Sequence, residues 1–355
     1  MSTAGIIGSF DYEARPVRVV FGAGRLAGIA AELDRLGAHN VMTVADSRAP
    51  GAEKIRDALG DRVVLAWDEI AQHVPVDLAD RAVKAAEAAG VDAVVSLGGG
   101  SATGLAKAIA LSTGLPIVAI PTTYAGSELT PVFGMTDGER KRTGTDERVR
   151  PKVVVYDPEL TVGLPAEVTG PSAFNAMAHC FAALWAAAGD PLTSALAADA
   201  VRTITACLPA VTADPTDLAA RAGLQYAAFL AGTALASTGT GLQHKICHSL
   251  GGRLNLLHAD THSVVLPYVV ALNTPAAPDM VERLRPFLGD EPGVALWELA
   301  KEAMLPADLA RLGVRREHLR DVAADVAGTP NPVPVDAAAV EALLLRALDG
   351  EPPMA

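Results

Sequence analysis

Two pairs of polar side chains in the second half of this chain have the spacing of one helix face. Asn175 stands four residues before His179, and His244 stands four residues before His248. Because positions i and i+4 lie on the same face of a helix, each pair can project into one pocket. With His258 following closely, an aspartate at position 175 would predict an Asp plus three His site for a divalent metal such as Fe²⁺ or Zn²⁺.

The asparagine at position 175 changes this prediction. Its amide carries no charge and is a poor ligand, so the chain keeps the frame of a metal site without the anionic ligand. We therefore expect no bound metal. Four of the eight histidines fall in one short window that ends at His262, and clustered imidazoles suit general acid–base work near neutral pH.

A glycine-rich turn in the first half is a candidate phosphate site. Gly98, Gly99, Gly100 and Ser101 follow an apolar run and precede a helical pattern. Backbone N–H groups at such a turn can approach phosphate closely, and a helix N-terminus favours an anion. The order is not GxGxxG, so the usual dinucleotide fingerprint is absent, and a plain tight turn explains the glycines equally well.

Asp46 follows the strand-like run Val41–Ala45. An acid in that place can bind both hydroxyls of an adenosine ribose and would repel a 2′-phosphate, which favours NADH over NADPH. Arg48 can offset that repulsion, so NADPH also remains a candidate. A helix N-cap is the simpler interpretation of Asp46 alone, and only the glycine turn makes the two interpretations comparable.

A second polar loop, Pro121–Glu128, follows another apolar run. Ligands of open α/β sheets bind at the carboxyl ends of the strands, so its hydroxyl groups are candidates to bind a nucleotide. A loop capped by its own Ser and Thr side chains is the alternative. We assign Thr122, Thr123 and Ser127 to the cofactor and place Tyr124 among the catalytic candidates.

The elements that must position these groups change character along the chain. In the first half, short apolar runs alternate with helical patterns, which predicts an α/β domain with a parallel sheet covered on both faces. Val132–Tyr156 interrupts this alternation as a hairpin with a charged tip. Beyond residues 158–166, alanine- and leucine-rich helical patterns dominate. We predict a dinucleotide-binding domain over residues 1–160 and an all-helical catalytic domain over residues 161–355.

Composition excludes several classes of protein. A chain of 355 residues with 50% hydrophobic and 20% charged residues is typical of two compact domains. The net charge of −12 without a basic patch argues against a nucleic-acid partner. Three widely spaced cysteines predict free thiols in a reducing cytoplasm. The N-terminus shows no secretion signal, and no charge-free apolar stretch has the length of a membrane span.

Six segments together carry a resemblance to the iron-containing (group III) alcohol dehydrogenase superfamily, and within it to the maleylacetate reductase branch. They are Gly98–Ser101, Pro121–Glu128, Lys141–Gly144, Asp157–Leu160, Gly241–Gly252 and His258–Pro267. Metal-dependent members have aspartate at the position of Asn175, with histidines matching His179, His244 and His258. Asparagine at that position is typical of the maleylacetate reductase branch, which the resemblance implies works without metal.

The resemblance implies a fold, a reaction and a set of roles. The fold is that of dehydroquinate synthase and the iron-containing alcohol dehydrogenases, with the active site between its two domains. The reaction is reduction of the C=C bond of maleylacetate, a small dicarboxylate, to 3-oxoadipate by NADH or NADPH in aromatic catabolism. His244 is expected to act directly on the reacting atoms, His248 to lie beside the nicotinamide ring, and His258 to orient the substrate. A homodimer is expected.

Two alternatives stay open at this point. One is a metal-dependent alcohol dehydrogenase or carbonyl reductase of the same superfamily, in which Asn175 tolerates a metal. The other is a biosynthetic lyase or cyclase that reuses the pocket without net redox chemistry. Phe174, just before Asn175, departs from the small or polar residue expected there and leaves the exact substrate open.

Overall fold

The computed structural model describes residues 10, 12–13, 17–138, 140–186 and 189–354. Most of the N-terminal segment, for which the sequence predicts no secretion signal, lies outside these residues. The chain divides into two compact units. The sheet unit comprises Arg15–Pro165 and Pro215–Gly232, and the helical unit includes Ala166–Asp214 and Thr233–Ala355. The sequence pattern of Pro215–Gly232 does not differ from that of the helices around it. The predicted domain limits therefore do not assign this segment to the sheet unit.

The sheet unit contains a six-stranded parallel sheet with the strand order β1-β8-β5-β4-β2-β3, and a separate two-stranded hairpin, β6-β7. The strands are β1 (Arg18–Phe21), β2 (Val41–Val44), β3 (Val63–Trp67), β4 (Ala93–Gly98), β5 (Ile117–Pro121), β6 (Val132–Asp137), β7 (Arg140–Thr145) and β8 (Val153–Tyr156). The helices of the first half are α1 (Ile29–Leu36), α2 (Ala52–Leu59), α3 (Val76–Ala88) and α4 (Gly100–Thr113). Two apolar clusters of buried residues form the core of this unit. The predicted α/β domain with a parallel sheet is confirmed.

Strand β8 corrects one detail of the prediction. The hairpin ends at Thr145, and Val153–Tyr156 pairs in parallel with both β1 and β5. All four residues of β8 are buried, which is expected of a strand covered on both faces. Their proximity to the hairpin in sequence concealed this role.

The sheet topology brings the predicted nucleotide-binding segments to one edge. Strand β4 lies between β2 and β5, with Gly98 opposite Pro121 and Val44 opposite Ser96. Because all three strands are parallel, the residues that follow them emerge at the same carboxyl edge. Asp46, the glycine turn and the Thr122–Ser127 loop therefore share that edge.

The helical unit is built from long helices. They are α5 (Ala166–Leu184), α6 (Pro191–Ala213), the end of α7 (Leu218–Thr238), α8 (Leu242–Leu254), α9 (His258–Asn273), α10 (Pro278–Leu288), α11 (Pro292–Glu302), α12 (Arg316–Val326) and α13 (Ala337–Asp349). Helix α5 is buried almost all round, which its apolar sequence permits only in a protein core. It packs against α6, α8 and α9.

Helix α6 is the one helix in the described part of the chain that is long and apolar enough to cross a membrane. One such helix is weak evidence for a membrane span, because a core helix of a soluble protein can have the same length and composition. The helix also carries the ion pair between Arg202 and Asp199, with a nitrogen–oxygen distance of 2.7 Å.

A close contact between two glycines fixes the loop after β5 against α7. The backbone of Gly126 has a φ of +79°, and a Cβ added to Gly232 would lie 2.3 Å from the Gly126 carbonyl oxygen. Neither position accepts a side chain without displacing the other.

We predict that Gly232→Ala lowers the free energy of unfolding by about 1–3 kcal/mol, because the added methyl group overpacks this contact. Gly163→Ala is the matched control, since a Cβ there meets no atom within 4 Å. Thermal unfolding followed by circular dichroism measures both. Equal midpoints for the two variants would show that the loop can move away from α7.

Candidate active site

The glycine turn and the loop after β5 touch each other in the sheet unit. The backbone N–H of Thr122 donates to the Gly98 carbonyl at 3.1 Å. A Cβ at Gly99 would lie 2.9 Å from the Thr123 methyl group. Helix α4 begins at Gly100, so free N–H groups of its first turn lie beside the hydroxyl of Thr123. The arrangement can hold a phosphate, as predicted for this turn.

Lys107 binds the loop after β5 through its side chain, a role that the sequence did not predict. Its ammonium group, on α4, donates to the carbonyl oxygens of Ser127, Thr130 and Val132 at 2.8–2.9 Å and to the Thr130 hydroxyl at 3.1 Å. Its side chain is buried, and burial lowers the pKa of Lys107 to about 7. A lysine inside an apolar helix pattern is the only signal that the sequence offers for this role.

Tyr124 does not have the environment of a catalytic residue. Its side chain is fully buried within the sheet unit, and its hydroxyl accepts a hydrogen bond from Arg221 at 3.2 Å. Arg221 also donates to the carbonyl oxygens of Leu164 and Pro215, and Gln225 donates to that of Pro121. Tyr124 therefore anchors the loop to α7, and the catalytic role predicted for it does not fit a hydroxyl that is held by Arg221.

Asp46 lies two residues beyond β2, and its side chain is half-exposed. The carboxylate accepts from the Arg48 backbone N–H at 2.9 Å and from the Arg48 guanidinium at 3.2 Å. These hydrogen bonds hold the pKa of Asp46 below its usual range. Arg48 thus stands beside Asp46, where it can weaken discrimination against a 2′-phosphate.

The helical unit brings three i,i+4 pairs together. The pairs are Asn175 with His179 on α5, His244 with His248 on α8, and His258 with His262 on α9. The first two were predicted from their spacing, whereas the pairing of His258 with His262 was missed. Helix α9 begins at His258, and the sequence places no capping residue or apolar periodicity before it that would reveal this boundary.

The imidazole rings form one continuous cluster. His244 stacks on His179 with a centroid distance of 4.5 Å, and it lies 4.3 Å from His262. The Nε2 atoms of His258 and His262 are 3.1 Å apart. The His248 ring stacks on His258 at 5.1 Å and lies on the exposed side of the cluster.

Burial and missing hydrogen bonds distinguish the inner part of the cluster. Neither ring nitrogen of His244 has a hydrogen-bond partner, nor does Oδ1 of Asn175. Burial first, and the neighbouring imidazoles second, lower the pKa of His244 and His262 well below the usual range. Both rings are therefore neutral near pH 7, so His244 offers a lone pair or an N–H group but no imidazolium proton.

The charged residues and cysteines that are next to these histidines in sequence contribute less to the cluster than their positions imply. Arg253 pairs with Asp325 at 2.7 Å and with Asp321 at 3.4 Å, and Lys245 is exposed on α8. Cys180 and Cys247 are fully buried, and burial raises the pKa of both thiols. These cysteines are packing residues, as their positions beside His179 and His248 predict.

Comparison with known proteins supplies the family. The profile of the iron-containing alcohol dehydrogenases matches residues 16–158, and the C-terminal profile of the same family matches residues 169–348. The chain belongs to the iron-containing alcohol dehydrogenase family. It is an oxidoreductase with the two-part fold of that family, a sheet domain followed by a helical domain.

Individual relatives are similar over nearly the full length of the chain. A maleylacetate reductase of Burkholderia cepacia is 44% identical over 350 residues, covering 97% of this chain and 99% of that protein. The crystal structure of maleylacetate reductase from Agrobacterium tumefaciens is 42% identical with a TM-score of 0.94, covering 98% and 100% of the two chains. An iron-containing alcohol dehydrogenase of Corynebacterium glutamicum is 40% identical with a TM-score of 0.91, covering 97% and 98%.

The expectation that no metal binds is wrong. The chain belongs to a family whose members are described as iron-containing, and it is similar to a solved iron-containing member. Ligand nitrogens of His244, His258 and His262 lie within 4.8 Å of one another, so the described residues offer a group that fits a metal ion. The inference from Asn175 failed because it considered one ligand frame and did not pair His262 with His258 as possible ligands.

We predict that Lys107→Met removes a pH dependence of stability. The folded pKa of about 7 lies below that of an unfolded lysine, about 10.4, so the unfolded chain binds the extra proton between these values. The wild type should therefore gain stability as pH rises through this window, by at most about 1.4 kcal/mol per pH unit.

Urea unfolding of both proteins at about pH 7 and about pH 9 measures the difference. The gain in the wild type should exceed that in Lys107→Met, whose buried methionine has no proton to lose. Equal gains would mean that Lys107 keeps an ordinary pKa, and that its ammonium group is not desolvated beneath the loop.

Proposed function

We propose that this chain reduces the C=C bond of maleylacetate to 3-oxoadipate with NADH or NADPH. The observation that carries the proposal is the buried imidazole cluster beside an uncharged Asn175, in a chain that is 41–44% identical over nearly its full length to several maleylacetate reductases. The sheet unit binds the cofactor, and the helical unit supplies the groups that polarise the substrate.

The reaction needs hydride at one alkene carbon and a proton at the other. Hydride from the nicotinamide adds to the alkene carbon remote from the ketone, and the electron pair moves onto the ketone oxygen as an enolate. Protonation of the carbon next to the ketone then completes the reduction. The protein must therefore stabilise negative charge on one oxygen and deliver one proton.

The inner histidines are suited to the first task. His244 is neutral and has both ring nitrogens unpaired, so it can offer an N–H to the enolate oxygen or a lone pair to a metal ion. A metal ion held by His244, His258 and His262 would supply Lewis-acid stabilisation of that oxygen. His248 is exposed, and we assign to it the transfer of a proton from water into the cluster.

Asn175 favours a dianionic substrate because its side chain carries no negative charge. A carboxylate at this position would repel a substrate carboxylate; two such charges about 5 Å apart repel each other by about 3 kcal/mol at an effective dielectric constant of about 20. The amide removes that repulsion, and its NH₂ group can donate a hydrogen bond to the substrate.

We assign the cofactor to the carboxyl edge of the sheet. The pyrophosphate binds at Gly98–Ser101 and the start of α4, and the hydroxyls of Thr122, Thr123 and Ser127 bind the nicotinamide half. Asp46 binds the adenosine ribose. Three free cysteines in the described part of the chain support a reducing cytoplasm as the compartment, and we retain a homodimer as the proposed assembly.

We predict that His244→Ala lowers turnover of maleylacetate by about 10²–10⁴-fold, the usual size for a residue that acts on the reacting atoms. NADH affinity should change little, because the assigned cofactor groups lie in the sheet unit. The assay follows loss of NADH absorbance in the presence of maleylacetate, with NADH affinity measured by fluorescence. The matched control is His39→Ala, at an exposed histidine outside the cluster. Turnover by His244→Ala close to that of the control would remove His244 from the mechanism, and absence of turnover by the wild type would refute the proposed reaction.

We also predict that Asp46→Ala shifts cofactor preference toward NADPH, because it removes a carboxylate from the ribose site. Arg48→Ala should shift preference the other way, since it removes the neighbouring guanidinium. The ratio of kcat/KM for NADH to that for NADPH measures both effects. An unchanged ratio in Asp46→Ala would show that this carboxylate does not contact the ribose.

A further inference from the structure

Glu128 is a buried carboxyl group in the loop after β5 that takes no part in the proposed chemistry. Its side chain is 2% exposed, and the hydroxyl of Tyr156, on β8, donates to its Oε1 atom at 2.6 Å. Tyr156 is itself fully buried. Because a buried carboxylate is costly unless a positive charge balances it, the function of Glu128 depends on the cation that it balances.

Lys107 is that cation. Burial raises the pKa of Glu128 and lowers the pKa of Lys107 to about 7, and the charge of each group opposes the shift of the other. Arg150 is the other charged group that acts on Lys107, and its positive charge favours the neutral amine. Arg150 has an acidic partner of its own, since its guanidinium donates to the carboxylate oxygens of Glu147 at 2.7 and 2.8 Å. Among the described residues, Glu128 is therefore the acid that balances Lys107.

The ammonium group of Lys107 fixes the backbone of residues 127–132. Three carbonyl oxygens accept its hydrogen bonds at 2.8–2.9 Å, and one of them belongs to Ser127. The hydroxyl of Ser127 is among those that we assign to the cofactor, so Lys107 holds the backbone that carries a cofactor ligand. A neutral amine has only two N–H groups and a lone pair, so it cannot donate to all three carbonyl oxygens.

We propose that Glu128 is a positioning residue for the cofactor. It is the counter-charge that keeps Lys107 as an ammonium group, and Lys107 in turn holds Ser127 where its hydroxyl can bind NADH. The proposal rests on the proposed assignment of the loop after β5 to the cofactor. Glu128 does not touch the cofactor itself, since its carboxyl group is buried against Tyr156.

The pH dependence of NADH binding separates this role from simple packing. If Glu128 only fills space, its replacement weakens NADH binding equally at every pH. If Glu128 is the counter-charge, Glu128→Gln removes the negative charge that raises the pKa of Lys107, so the variant loses the Lys107 proton at a lower pH than the wild type. The variant then binds NADH more weakly only where its Lys107 is neutral and that of the wild type is still protonated.

Fluorescence titration with NADH, in the absence of maleylacetate, tests the proposal. Wild-type affinity should fall by about 5–10-fold from about pH 6 to about pH 8, as Lys107 loses its proton. Glu128→Gln should bind NADH about 3–10-fold more weakly than the wild type at about pH 7, and within about twofold of it at about pH 6. Lys107→Met should bind weakly at every pH. Glu69→Gln, at an exposed glutamate of the sheet unit that pairs with Arg81, is the matched control and should follow the wild type.

An equal loss of affinity in Glu128→Gln at every pH would overturn the proposal and make Glu128 a packing residue, and so would a wild-type profile in this variant. Circular dichroism checks folding. If Glu128→Gln does not fold, the wild type decides, because an NADH affinity that does not change with pH would contradict the proposal. These outcomes are measured without maleylacetate and would leave the proposed reaction standing. Absence of NADH binding by the wild type would refute the cofactor assignment and the role of Glu128 together.

Discussion

The candidate active site depends on the desolvation of imidazole nitrogens inside an apolar helical core. His244 is almost fully buried, and neither of its nitrogens is paired within the protein. A folded chain tolerates such groups when a bound ligand offsets their cost, which is why unpaired buried atoms mark functional sites. The apolar surfaces of α5, α8 and α9 create this desolvation, and the same burial keeps the inner imidazoles neutral.

In the sheet unit, two loops are held in contact at positions where there is no room for a side chain between them. Gly99 allows the glycine turn to touch Thr123, and Gly126 meets Gly232 of α7. Lys107 then satisfies carbonyl groups that the loop after β5 would otherwise bury unpaired. The buried Tyr124 and Arg221 secure the other side. Rigid loops of this kind reduce the entropy lost when a cofactor binds.

Local patterns in the sequence were enough for the elements and for part of the site. The predicted alternation of helical patterns and apolar runs is observed, for example, in the helix Ala52–Leu59 and the strand Val63–Trp67, because each has turn-forming residues at its ends and a clear pattern within. The i,i+4 spacing placed Asn175 with His179 for the same reason. What the sequence hid depends on tertiary structure. The pairing of β8 between β1 and β5, the membership of Pro215–Gly232 in the sheet unit and the contacts of Lys107 all join residues far apart in the chain. The metal was misjudged because the loss of one ligand position was considered without the imidazole that the fold brings to His244 and His258.

In the proposed reaction, hydride goes to an alkene carbon and not to the carbonyl carbon. Incubation of the purified chain with maleylacetate and NADH deuterated at C4 of the nicotinamide, followed by NMR of the product, tests it most directly. We expect deuterium on the saturated carbon remote from the ketone, with the ketone intact. Deuterium on a newly formed carbinol carbon would show that the chain is a carbonyl reductase and would contradict the proposed reaction.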